Sequence, residues 1–93
     1  MTATPLGPVA SSIDHRLRQA LAPTALEVQD DSHLHAGHAG AREGGHFTVR
    51  IRSARFAGLA RLARHRLVYD SLGALAPLGV HALAIDARAP DEV

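Results

Sequence analysis

The chain has no cysteine, no tryptophan and no lysine, and its aromatic residues are one tyrosine and two phenylalanines. Without cysteine there is no disulfide, no thiolate nucleophile and no zinc or iron–sulfur site built on this chain's own sulfur. Any metal held here falls to imidazole or carboxylate. A domain without disulfides is most simply cytoplasmic. No apolar run approaches the roughly 18–20 residues that span a bilayer, so no membrane partner is expected. The opening MTATPLGPVASS lacks both a basic start and an apolar core, so it does not read as a secretory signal. An excess of one charge is missing as well: the formal net charge is +1, carried on the basic side by arginine alone. No global field therefore argues for nucleic acid. Ninety-three residues fit one small domain; residues 1–9 read as a flexible tail and 10–90 as the folded unit.

Histidine is what the chain has in excess. Of seven, His33, His35, His38 and His46 fall inside or at the edge of one glycine-rich stretch, DSHLHAGHAGAREGGH, residues 31–46. The segments on either side read as strands. Ala25 to Asp31 alternates Leu26 and Val28 with Glu27 and Gln29, and His46 to Arg52 sets Phe47, Val49 and Ile51 against Thr48, Arg50 and Arg52. The loop between them is too long for a tight hairpin turn, and loops of that length in a compact domain are often functional.

Before this pair, Val9 to Leu21 has a helical period, with Ile13, Leu17, Ala20 and Leu21 on one stripe. Ser11 or Ser12 can cap its start and Pro23 stops it. After the pair, Ser53 to Gly58 is a short turn anchored by Phe56. Leu59 to Ala76 is expected as one long helix, with Leu62, Val68, Tyr69, Leu72 and Leu75 converging on one side and His65 among them. Pro77 and Gly79 end it. Val80 to Ala87 alternates as a third strand, with His81, Leu83 and Ile85 on one face. The resulting order, αββααβ, is an α+β two-layer sandwich with helices on one face of a three-stranded sheet.

No motif for hydrolysis or phosphate binding is present: G-x-S-x-G, GxxxxGK and HExxH are all missing. The expectation is a protein that is not an enzyme. The HLHAGH run is a candidate metal arm, since neutral imidazole binds zinc, copper, nickel or iron; solvated loop histidines are the ordinary alternative. His15 reads as an exposed helix residue and His65 as a packed one. His46 begins a strand and can hydrogen-bond the preceding loop. By spacing alone His81 is equally a satisfied histidine and a ligand.

Four segments, DDSHLHAGHAGAR, HFTVRIRSARFAG, RHRLVYDSL and GVHALAIDARAPDE, occur in an order that resembles the BolA family from about Ile13 to Glu92. The HAGHAGAR loop is similar to that of α-proteobacterial and plant-type members. The resemblance implies a fold similar to class II KH domains. It also implies a heterodimer with a monothiol, CGFS-type glutaredoxin, the two sharing a [2Fe–2S] cluster with glutathione, in iron–sulfur trafficking and iron or redox regulation. No cluster is expected in the isolated chain, whose form without its partner is a monomer or weak homodimer. Carried over, the strand ligand is His81. The loop ligand is His38 counting back from His46, or His35 counting forward from Ser32; His38 ranks first.

The alternative is a KH-like transcriptional regulator that binds DNA through Arg50, Arg52, Arg64 and Arg66, with Arg55 and Arg61 near them. Against it, the GXXG loop that clamps nucleotides in KH domains is absent, and aromatics for base stacking are nearly so. A third class, a stand-alone zinc or copper buffer, would bind metal without a partner.

Overall fold

A computed structural model describes residues 6–32 and 44–92. Helix α1 (Pro8–Leu21) leads to strands β1 (Ala25–Asp30) and β2 (Gly45–Arg52); a short 3-10 turn (Ala54–Phe56), helices α2 (Arg61–Leu72) and α3 (Leu75–Leu78), and strand β3 (Val80–Arg88) follow. This is the mixed α+β arrangement expected from the sequence.

α1 starts at a proline, which costs nothing there because an amide at the first helical position has no partner within the helix. That moves the start ahead of both expected caps. Gly7 precedes the helix, and Ser12 donates its hydroxyl to the Pro8 carbonyl at 3.0 Å instead of capping. The buried stripe is Ala10, Ile13, Leu17 and Leu21. Ala20 is exposed and Ala10 takes its place, because the stripe is centred between Ile13 and Leu21. Ala22 closes the helix in the left-handed region at φ 43°, and its N–H donates to Arg18.

The sheet order is β1-β2-β3, antiparallel between β1 and β2 and parallel between β2 and β3. The antiparallel pair encloses the histidine loop. A parallel neighbour demands a long crossover, here the 3-10 turn, α2 and α3. Phe47, Val49 and Ile51 of β2 are buried toward the helices, where they join Ile13, Leu17, Phe56, Val68 and Leu72 in one core. Burial of each large side chain contributes about 1.5–3 kcal/mol. The other face of the sheet carries His46, Thr48 and Arg50 on β2.

The expected single helix over 59–76 is instead two. Gly73, at φ 76° and ψ −154°, takes a conformation that ends α2, and its N–H donates to Tyr69. The expected apolar side also differs. Val68 and Leu72 are buried, while Leu62 is 63% exposed and Tyr69 39%. Leu62 and Tyr69 are seven residues apart and share a face, but that face is turned about 100° from Val68. Leu75 meets the core from α3, beyond the break. Arg16 ties α1 to α2 by donating to the Leu72 carbonyl at the end of α2, at 2.9 Å.

Candidate functional site

His81 does not share a face with Leu83 and Ile85, contrary to the simple alternation of VHALAI. Gly45 pairs with Val80, but His46 pairs with Ala82, so one extra residue is inserted into β3 at this point. Val80 is buried, and Leu83 packs against the core three residues later. Between two inward side chains an unbroken strand has room for one outward residue; here there are two, His81 and Ala82, both exposed. Bulges re-aim side chains in this way. The result sets His81 beside His46, with ring centroids 5.2 Å apart and planes inclined by 56°.

Both ends of the histidine loop are fixed at the same place. On the entering side, Ser32 Oγ accepts from the His46 N–H at 3.1 Å, and the Asp31 N–H donates to the His46 carbonyl at 2.7 Å. On the returning side, the Gly45 N–H donates to the Gly79 carbonyl at 2.9 Å. Gly44 has φ 132°, and a Cβ there would sit 3.1 Å from the His81 backbone nitrogen. At Gly45 a Cβ would fall 2.5 Å from Phe47 Cε2 and 2.7 Å from Ser32 Oγ, so only glycine fits between the Phe47 ring and the entering end of the loop. Next to these residues, a groove of about 280 Å³ runs along the outer face, lined by Asp31, His46, Thr48, Ala82 and Ala84 among others. Thr48 donates its hydroxyl to Asp31 Oδ2 at 2.5 Å along that groove. His33, His35 and His38 lie outside the described residues. Among the described residues no group of three or more metal-binding side chains occurs.

The candidate arginines are distributed over several parts of the fold. Arg50, on the outer sheet face, pairs with Glu27 at 2.9 Å and also donates to Gln29 at 3.0 Å. Arg52 donates to the carbonyls of Ala89, Pro90 and Glu92. Arg64 grips the Glu92 carboxylate with both terminal nitrogens, at 2.5 and 2.8 Å, and also donates to the Ala87 and Leu59 carbonyls. These contacts hold the segment after β3 against α2. The Arg64 guanidinium, helped by the Ala89 N–H, keeps the Glu92 carboxyl well below the usual range, at about 2. Arg66 and Arg61 are exposed on α2, and Arg55 is exposed in the 3-10 turn. His15 is exposed on α1, as expected, while His65 is half-buried beside Ile85 and Ala87 in a second groove of about 550 Å³.

Residues 17–92 match the BolA-like protein family. The chain belongs to it. This BolA-like protein is 45% identical over 84 residues to BolA-like protein 1 of Mus musculus, an alignment covering 90% of this chain and 60% of the mouse protein. A Sinorhizobium protein, described as uncharacterized and from the cobS 5' region, is 41% identical over 87 residues, covering 90% of this chain and 94% of its own length. Among solved structures, the BolA domain of SufE1 from Arabidopsis thaliana is similar with a TM-score of 0.83 and 45% identity, over 96% of this chain and 100% of that domain.

Sequence reasoning singled out His81 but gave His46 only a hydrogen-bonding role. The signal that could have paired them was the double glycine before His46, which lets two strands approach closely. The tie between Arg64 and Glu92 had no periodic signal, because its two partners are 28 residues apart.

Proposed function

We infer that this BolA-like protein is a non-catalytic adaptor that pairs with a monothiol, CGFS-type glutaredoxin and shares a [2Fe–2S] cluster with it, in iron–sulfur trafficking and iron or redox regulation. The observation that carries the reading is the bulge: it exposes His81 on the outer side of β3, where both ends of the histidine loop are rooted. The cluster is cargo, and its thiolate ligands come from the glutaredoxin and glutathione, since this chain has no cysteine. The donor set fits, because imidazole is an established iron ligand in such centres and raises their potential. The name SufE1, borne by the protein whose BolA domain this chain resembles, hints at an iron–sulfur role.

In this reading β3 fixes His81, while Ser32, Gly44 and Gly45 fix where the loop starts and stops. His38, or else His35, is the loop ligand. No covalent step is required of this chain. Visible absorption and circular dichroism of an anaerobic reconstitution with a monothiol glutaredoxin and glutathione test the reading. The wild type is expected to give a spectrum distinct from that of the glutaredoxin homodimer. His81→Ala and one of His38→Ala and His35→Ala should alter it. An unchanged homodimer spectrum with the wild-type chain would overturn the proposal.

DNA binding draws no comparable support. Arg50 and Arg66 lie on opposite layers, and Arg52 and Arg64 are occupied with the segment after β3.

A further inference from the structure

β3 lies at an edge of the sheet, paired on one side only, with β2, among the described residues. The Arg88 carbonyl accepts from the Ser53 N–H at 3.0 Å, so Arg88 turns its backbone groups toward β2. Backbone direction alternates along a strand paired in parallel. Ala84 and Asp86 therefore also face β2, while Leu83, Ile85 and Ala87 turn their N–H and C=O groups to the open edge. Arg64 agrees with that direction, since it donates to the Ala87 carbonyl from the α2 side, at 3.1 Å.

We propose that this edge, with the groove of about 550 Å³ between it and α2, docks an extended acidic segment of a partner protein, which joins the sheet as an added strand. Leu59, Arg61 and His65 line the groove on the helix side, and Ile85, Asp86 and Arg88 on the strand side. Peptides that add to a sheet edge are held by main-chain hydrogen bonds and selected by the side chains around them. Here the backbone groups of Leu83 and Ile85, with the Ala87 N–H, supply the first, and the wall of α2 supplies the second. The open edge is also bounded, as natural sheet edges are. At its start the bulge between Val80 and Ala82 interrupts regular pairing, and at its end Arg64 occupies the Ala87 carbonyl. A short segment fits between these limits.

Charge selects the occupant. Arg61 is exposed and has no ion pair among the described residues. Asp86, the acidic group lining the groove, is paired with Arg88 at 2.8 Å, and Arg64 is paired with Glu92. The uncompensated charge is therefore positive, and an acidic side chain on the incoming strand meets Arg61. A second copy of this chain is the poorer occupant. A two-fold contact uses the same patch on both copies, which sets one basic rim against the other. The slot uses neither His81 nor the histidine loop, so it stands or falls apart from the glutaredoxin reading.

The test pans random octapeptides displayed on phage against the full chain and synthesises the enriched sequences. Enrichment in Asp or Glu together with β-branched residues is expected; a basic consensus, or no enrichment, overturns the proposal. In amide hydrogen exchange of the free chain, Leu83 and Ile85 should exchange faster than Ala84 and Asp86, and the enriched peptide should slow them. Slow exchange at Leu83 and Ile85 without peptide, or no slowing with it, contradicts strand addition. Methylating one alternate set of peptide amides should abolish binding while the other set is tolerated; tolerance of both sets overturns the backbone pairing. Arg61→Glu should weaken binding by about fivefold or more, and unchanged affinity overturns the acidic occupant. Arg61 is exposed, so this variant leaves the core intact. Sedimentation of the free chain tests the rival occupant: a dimer that itself protects Leu83 and Ile85 would overturn the proposal in favour of a second copy.

Discussion

Ser53 is fully buried between the end of α1 and the start of the crossover, where its hydroxyl donates to the Leu21 carbonyl at 2.6 Å and accepts from the Arg55 N–H at 3.1 Å. Removing it leaves a helix-terminal carbonyl without that donor in a dry place. Ser53→Ala is expected to lose about 1–3 kcal/mol, measured as a lower urea midpoint with unchanged slope. Gly45 presents the opposite problem, since an added Cβ would meet the buried Phe47 ring. Gly45→Ala should cost on the order of 1–3 kcal/mol by overpacking. A lower thermal unfolding midpoint measures the loss.

The strands were the most legible elements, because β2 is central and its burial alternates as Phe47, Val49 and Ile51 do in the sequence. α1 was legible for the same reason, its stripe being long and regular. The break after α2 was not, because one glycine inside a helical pattern is tolerated often enough to carry little weight. What decides it is the backbone, with Gly73 at φ 76° and ψ −154°, a region essentially closed to other residues. Gly73→Ala is therefore expected to destabilise by about 1–3 kcal/mol, seen as a lower melting temperature. The β3 bulge was equally hidden. VHALAIDA alternates without interruption, so period alone places His81 inward with Leu83, and only pairing with β2 shows the inserted residue. The candidate site was thus half legible: His81 was identified by resemblance, but its face and its neighbour His46 depend on the register between strands far apart in sequence.

At the scale of the molecule, the segment after β3 is held by Arg52 and by the Arg64–Glu92 pair, so the end of the described chain is fastened to α2 and β2. The pair gives stability a pH dependence. Arg64 first, and the Ala89 amide second, lower the Glu92 pKa from 4.5 to about 2. A lowered carboxyl pKa means that the folded state binds the proton less readily, so the contribution is full above about 4.5 and disappears as pH falls to about 2. Melting temperatures of wild type and Glu92→Gln should therefore differ by a constant amount near neutrality and converge over that acid range; parallel curves throughout would contradict the assignment. In the proposed glutaredoxin complex, the bulge, the loop root and the partner together build one ligand set around His81. Electron-spin-echo modulation of the reduced glutaredoxin complex tests it most directly. Imidazole-nitrogen coupling in the wild type that falls in His81→Ala is the expected result. A wild-type complex with no nitrogen coupling would contradict it.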